Sequence, residues 1–151
     1  MEKEKGVMTT NVKIYPGKWP VIVGLWLFAV GVVLFWISFF WGGAVHASAD
    51  ECYVVFERNF VVADLFTVLA GLICAEGLRR GKDWAVIWGG IAAGGILFLL
   101  FMDVSWNVLH GLYANFSPAM LGENSINLFC VTFGPYLIWY LQRNLKEMRH
   151  A

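Results

Sequence analysis

The stretch VIVGLWLFAVGVVLFWISFFWGGAV (Val21–Val45) decides the fold class, because it contains no charged residue over its whole length. A helix needs about 20 apolar residues to cross the roughly 30 Å hydrocarbon core of a bilayer. Three further apolar blocks follow, at Phe60–Leu78, Trp84–Leu109 and Ile126–Leu141. The last block is the shortest, but aromatic residues and a basic tail bound it. The pattern therefore predicts four membrane-spanning helices.

The predicted fold is all-α: a polytopic membrane protein built as an antiparallel bundle of four transmembrane helices. The chain has 151 residues, of which 59% are hydrophobic and only 15% are charged. A soluble domain is about 25% charged, and four apolar helices would leave no polar face for water. Neither an internal repeat nor a linker divides the chain, so residues 1–151 form one domain. The predicted helices lie at about 20–45, 60–78, 84–110 and 125–142.

The distribution of basic residues predicts the orientation in the membrane. Of the 11 Lys and Arg residues, every one except Arg58 precedes the first block, follows the fourth, or lies between the second and third. Basic loops remain on the cytoplasmic side. We therefore expect a multi-pass protein of the cell (plasma or inner) membrane with both termini cytoplasmic and with 47–59 and 111–125 outside. No basic surface indicates nucleic acid. The ten basic residues on the predicted cytoplasmic side are Lys3, Lys5, Lys13, Lys18, Arg79, Arg80, Lys82, Arg143, Lys146 and Arg149.

An alternative for the first block is a cleaved signal peptide, since AVHASAD (Ala44–Asp50) contains a cleavage-like Ala-Ser-Ala. The apolar core of a signal peptide has about 7–15 residues, and this block is longer and rich in Trp and Phe. We expect an uncleaved first helix.

Cysteines and histidines suggest neither a cofactor nor a metal. The three cysteines show no Cys-x-x-Cys spacing, which argues against a thiol relay or a disulfide scaffold. His46 and His110 end the first and third helices, too shallow in the bundle for a haem pair. No cofactor and no metal site are predicted.

Polar residues inside the apolar blocks are the strongest functional signal. On a helix, Asp103, Asn107 and His110 fall within about 60° of one another. The small or apolar residues that continue this stripe are Gly89, Ala92 and Ile96. The polar groups therefore belong to the face of the third predicted helix that meets other helices.

A second acid, Asp64, lies in the second predicted helix, and Glu57 lies seven residues before it, on the same face if the helix extends that far. No Lys or Arg lies inside any apolar block. A charge within a bilayer is costly and normally pairs, neutralises or marks a functional site. The alternatives are a buried polar knot that sets helix register, or simple exposure at the interface. The candidate ligand-binding residues are Asp64, Asp103, Asn107, His110 and Asn127.

Small residues indicate where helices approach closely in lipid. Gly24, Gly31 and Ser38 recur every seven residues in the first block. Gly90 and Gly94 form a Gly-x-x-x-Gly in the third, which we take to mark its inward face.

Two resemblances bear on function. The runs ADLFTVLAGLICAEGLRRGKDW (Ala63–Trp84) and FMDVSWNVLHGLY (Phe101–Tyr113) resemble small prokaryotic four-helix membrane proteins of uncharacterised function. GPYLIWYL (Gly134–Leu141) together with Asp64 is similar to the EXPERA group, which includes the sterol isomerases and the sigma-2 receptor. That resemblance implies an intramembrane pocket for a cationic or sterol-like ligand.

The leading hypothesis is an integral membrane protein with an acidic and amide pocket in the outer leaflet, which binds a small cationic or lipophilic ligand or a proton. An EXPERA-like intramembrane isomerase is an alternative, so whether the protein is an enzyme stays open. A third alternative is an accessory subunit packed against a larger membrane complex. One chain of this size has little room for a permeation path. The expected partners are therefore the lipid bilayer and either a homo-oligomer or such a complex.

Overall fold

A computed structural model describes residues 16–42, 45–46, 48, 50–114 and 117–149, with the side chains of the last helix described to residue 145. Those residues form helices and turns, without a strand. Residues 1–15, which precede the first apolar block, and part of the Ala-Ser-Ala motif lie outside the described residues. The helices are α1 (Lys18–Gly42), α2 (Glu51–Arg58), α3 (Val61–Arg80), α4 (Ala85–Leu109) and α5 (Pro118–Arg149), with one 3-10 turn at Leu112–Ala114.

Over the described residues the all-α prediction is confirmed, and three segments there have the length and hydropathy needed to cross a membrane. They are α1, the segment Glu51–Arg80 that joins α2 to α3, and α4. Helix α5 is longer, at 32 residues, but polar residues make it less apolar than these three. These three segments therefore indicate a membrane protein.

Each long helix packs on the next: α1 on α3, α3 on α4 and α4 on α5, around an apolar core. Helices α1 and α5 are the first and last of this series, and their backbones approach each other at few points. Where they do meet, the ring of Phe133 lies over Gly24. The rings of Phe28 and Phe129 stack nearby, with centroids 6.5 Å apart.

The end of the bundle that holds the α3–α4 connection is called the hairpin end below. Gly81 takes a left-handed conformation (φ 67°) that ends α3, as glycine commonly does after a helix. A Cβ added at Gly77 would lie 2.8 Å from the Ala85 Cβ, so the two helices approach closely there. The Lys18 Nζ donates a hydrogen bond to the Arg79 carbonyl (3.2 Å), which brings the start of α1 to this end.

The opposite end, called the pocket end below, contains a helix that the sequence did not predict. Residues 47–59 were expected to form an outer loop, but Glu51–Arg58 are helical. Asp50 caps this helix by accepting a hydrogen bond from the Cys52 amide (2.9 Å), the usual role of Asp at this position. A single turn at Asn59 and Phe60 separates α2 from α3.

Helix α5 begins earlier than predicted, at Pro118 rather than near residue 125. Proline suits the first turn of a helix because its missing amide donor is not needed there. The Ser117 hydroxyl accepts a hydrogen bond from the Met120 amide (3.1 Å) and so caps the start of the helix. The extra turns move Glu123 from a loop into the bundle.

The prediction that the Gly-x-x-x-Gly motif marks the inward face of α4 was wrong. Gly90 and Gly94 are exposed, and a side chain added at either would meet nothing within 4 Å. The inward stripe consists of Gly89, Ala92 and Ile96, the residues that share a helix face with Asp103. That part of the helix-wheel prediction is confirmed.

Candidate ligand-binding pocket

A cavity of about 300 Å³ lies between the long helices at the pocket end. This volume is at the lower end of the range for small-molecule sites. Each of α2, α3, α4 and α5 contributes one carboxyl group to the wall, and α1 contributes only apolar residues and a glycine. Of the described residues that line the cavity, none is basic. The four acids are Glu57, Asp64, Asp103 and Glu123.

Asp64 is held in place by α1. The indole nitrogen of Trp36 donates a hydrogen bond of 2.8 Å to the Asp64 Oδ2. Trp36 is buried and lies among the aromatic rings of Phe35, Phe39 and Phe40, so its ring has little freedom to turn away. The bond fixes the direction of the carboxyl group, which lines the cavity.

Asp103 differs from the other acids of the cavity in its lack of a hydrogen-bond donor among the described residues. It is partly buried and lies within electrostatic range of Glu57, Glu123 and Asp64. No hydrogen bond to its side chain is found within the described ranges. Asp103 is therefore surrounded by like charges, and a bound cation or proton would relieve their repulsion.

Glu57 and Glu123 close the pocket end, each with only 7% of its surface exposed. Asn107, which is fully buried, donates a hydrogen bond through Nδ2 to the Glu123 Oε1. The Tyr53 hydroxyl donates a longer one to the Glu123 Oε2 (3.4 Å) and also interacts with Glu57. One hydroxyl therefore lies between two carboxyl groups, and it has a single proton to donate.

The structure brings together only some of the residues singled out from sequence. Asp64 and Asp103 line the same cavity, and Asn107 lies behind it, against Glu123. Asn127 is buried off the cavity wall, and neither its Nδ2 nor its Oδ1 has a hydrogen-bond partner among the described residues. His110 is exposed at the end of α4, where its ring stacks on Trp106 with centroids 3.9 Å apart.

Three residues of the site were missed by sequence reasoning. Glu57 was noted only as a possible neighbour of Asp64, and Glu123 was assigned to an outer loop. No role is predicted for Trp36, because it shares the first apolar block with Trp26 and Trp41 and nothing in the sequence separates it from them. For Glu123, the Ser117-Pro118 pair that starts α5 was the available signal.

The carboxyl groups are not arranged as a metal site. Within the described ranges, no three His, Cys, Asp or Glu side chains converge in a way that would hold a metal ion. The acids instead surround a cavity whose remaining wall is mostly aromatic and aliphatic. That combination suits an organic cation, which offers charge to the carboxylates and apolar surface to the wall.

Comparisons with known proteins found no relative. No family model matches the chain, and no curated protein or solved structure is similar to it. The function of the pocket therefore has to be inferred from its geometry.

Proposed function

We propose that the protein crosses the membrane four times, with both termini cytoplasmic, and binds a small organic cation in the outer half of the bundle. The charge distribution supports this orientation. Lys18, Arg79, Arg80 and Lys82 lie at the hairpin end, whereas Arg58 lies at the pocket end. Cytoplasmic loops carry such an excess of basic residues.

The packing of α5 supports a fourth span. Its apolar face lies along α4, where Leu141 approaches Gly89 near the hairpin end and Gly134 approaches Leu97 farther along. A helix that packs antiparallel along a spanning helix over this length supports a fourth span. Its lower hydropathy follows from Glu123 and Asn127, which face the protein interior rather than lipid.

The observation that carries the ligand proposal is a cavity lined by four carboxyl groups and no basic side chain. Acids within a membrane normally pair or mark a ligand site, and here the described wall offers no cationic partner. A protonated amine would supply the missing positive charge. Phe28, Phe35, Phe60 and Phe129 would surround its apolar part, and aromatic faces attract cations as well.

The test of the ligand is a thermal shift on the purified full chain. The probe is N,N-dimethylcyclohexylamine, a tertiary amine of suitable size, beside its neutral isostere isopropylcyclohexane. A ligand that binds only the folded state raises the melting temperature with concentration. We expect the amine to stabilise the wild type and the isostere to have little effect.

Variants locate the site. Asp103→Asn and Asp64→Asn should weaken amine binding about tenfold or more, equivalent to at least about 1.4 kcal/mol each. Glu76→Gln is the matched control, because Glu76 is an acid of α3 that pairs with Arg79 and Arg80 far from the cavity. Equal amine affinity in all three variants and the wild type would show that the carboxyl groups do not bind the amine.

Topology is tested with a native thiol. Cys52 is exposed at the pocket end, whereas Cys74 and Cys130 are buried. A membrane-impermeant maleimide added to intact cells should label Cys52, and a Cys52→Ser variant should remain unlabelled. Labelling that requires permeabilised cells would place the pocket end in the cytoplasm and reverse the proposed orientation.

A further inference from the structure

The pocket has a mouth on the flank of the bundle, between α1 and α5. Leu27 and Gly31 on α1 and Ser125 and Ile126 on α5 line the cavity and are also exposed. Leu27 is 60% exposed and Ile126 is 39% exposed. A side chain added at Gly31 would meet nothing within 4 Å. The cavity therefore reaches the surface where α1 and α5 face each other.

Packed side chains lie at both ends of the cavity. Toward the pocket end, Tyr53, Leu112 and Met120 form a small buried cluster, each 8% exposed or less. Toward the hairpin end, the rings of Phe28 and Phe129 stack between α1 and α5. In a membrane-spanning bundle, the opening between α1 and α5 faces lipid rather than water.

The polarity of the pocket runs from an apolar mouth to an acidic interior. Leu27 and Ile126 flank the opening, while Glu57 and Glu123 lie buried inside. The polar residue at the mouth, Ser125, donates its hydroxyl proton to the Leu121 carbonyl (2.8 Å). A site filled from water needs no apolar entrance, whereas an amphiphile arriving from a bilayer meets surfaces that match its chain.

We infer that the ligand is a single-chain cationic amphiphile taken from the bilayer. Its ammonium group lies among the carboxyl groups, and its alkyl chain leaves between Leu27 and Ile126 into the lipid. Charge complementarity selects this occupant over a neutral lipid chain, because four acids and no basic side chain line the described wall. This inference rests on the proposed cation site and adds the ligand class and the route of entry.

The experiment uses the full chain in phosphatidylcholine nanodiscs and a dodecylamine that carries a diazirine within its chain. After illumination, mass spectrometry of peptides locates the attached probe. We expect labels on the segments of α1 and α5 that hold Leu27 and Ile126. The dodecanol analogue, which has the same chain without the charge, should label these segments about tenfold less.

Variants at the mouth test the route. Gly31→Phe places a ring in the opening and should reduce amine labelling about tenfold. Ile126→Trp narrows the opposite side and serves as a second variant in case Gly31→Phe does not fold. Gly90→Phe is the matched control, because Gly90 is also an exposed helix glycine with open space around it and is not part of the cavity wall. It should label like the wild type.

Two results would overturn the inference. Equal labelling by the amine and the alcohol would mean that the gap takes any lipid chain. Equal labelling of variants that fold, whether Gly31→Phe, Ile126→Trp or Gly90→Phe, would mean that the amine does not enter there. If N,N-dimethylcyclohexylamine still binds in an Asp103-dependent way, the cation site stands and only the lipid route fails. If that short amine does not bind, the proposed function fails as well.

Discussion

The hairpin end and the pocket end are built from the same helices but packed in opposite ways. At the hairpin end, small residues such as Gly77, Ala85 and Gly89 let the helix backbones approach closely. At the pocket end, aromatic rings and carboxyl groups hold the helices around a cavity of about 300 Å³. Helix association within lipid depends on close packing more than on the hydrophobic effect. We therefore expect the hairpin end to contribute more to the stability of the fold than the pocket end does.

The largest effect is expected from overfilling the hairpin end. In Gly77→Leu, the new side chain would overlap Ala85, whose Cβ cannot rotate away, and the ring of Trp84. Overpacking costs about 1–3 kcal/mol and sometimes more. The melting temperature in detergent should fall sharply. Gly90→Leu adds the same side chain on the exposed face of α4 and should change it little. Equal losses in both variants would mean that the close approach is not what stabilises this end.

A loss of similar size is expected when the pocket end loses a hydrogen-bond donor. Trp36→Phe keeps an aromatic ring but removes the hydrogen bond to Asp64. Hydrogen bonds to charged groups contribute about 1.5–3 kcal/mol. The unfolding free energy should fall by an amount in this range, and the loss should shrink when Asp64 is already Asn. Trp41→Phe, on an 87% exposed residue of α1, is the control. A loss that is independent of Asp64 would assign the effect to packing alone.

A gain in stability is expected from removing one acid of the pocket. Asp103→Asn takes a negative charge from a wall that holds three more and no basic side chain. Without ligand, at pH 8, the variant should be more stable than the wild type by on the order of 1 kcal/mol. The gain should shrink as the pH falls and the carboxyl groups take up protons. A less stable variant at every pH would make Asp103 a structural residue rather than a ligand group.

The smallest effect is expected at an acid of the hairpin end that already has partners. Glu76 pairs with Arg79 and Arg80, and all three side chains are at least 37% exposed. Exposed ion pairs contribute little because water and salt screen them. Glu76→Gln should leave the melting temperature unchanged. A clear loss would show that this surface pair couples to the packing of α3 on α4.

The helices of the bundle were largely predictable because apolar length is a local property of sequence. The α3–α4 hairpin follows from two apolar blocks separated by a short basic loop. Helix α2 was missed because its composition resembles that of an outer loop, with Glu51, Glu57 and Arg58 among eight residues. Asp50 is a residue type that commonly caps a helix. A short polar helix, however, gains most of its stability from tertiary contacts such as the burial of Tyr53, which the sequence does not show.

The site was predictable only where an acid interrupts an apolar block. Asp64 and Asp103 stand out for that reason, and both line the cavity. Glu57 and Glu123 lie in segments whose sequence is polar. An acid is common in such segments, so its burial could not be predicted from the sequence. His110 shares a helix-wheel direction with Asp103, but a wheel gives the angle of a residue and not its depth. Seven residues along α4 take His110 beyond the cavity to an exposed position.

The turn between α2 and α3 has a mechanical consequence. At Asn59 and Phe60 the amides bond to Phe56 and Glu57, three residues back, so the regular helical ladder is interrupted. Glu57 lies before this turn and Asp64 lies after it. A change in the bend at the turn would therefore change the distance between these two carboxyl groups.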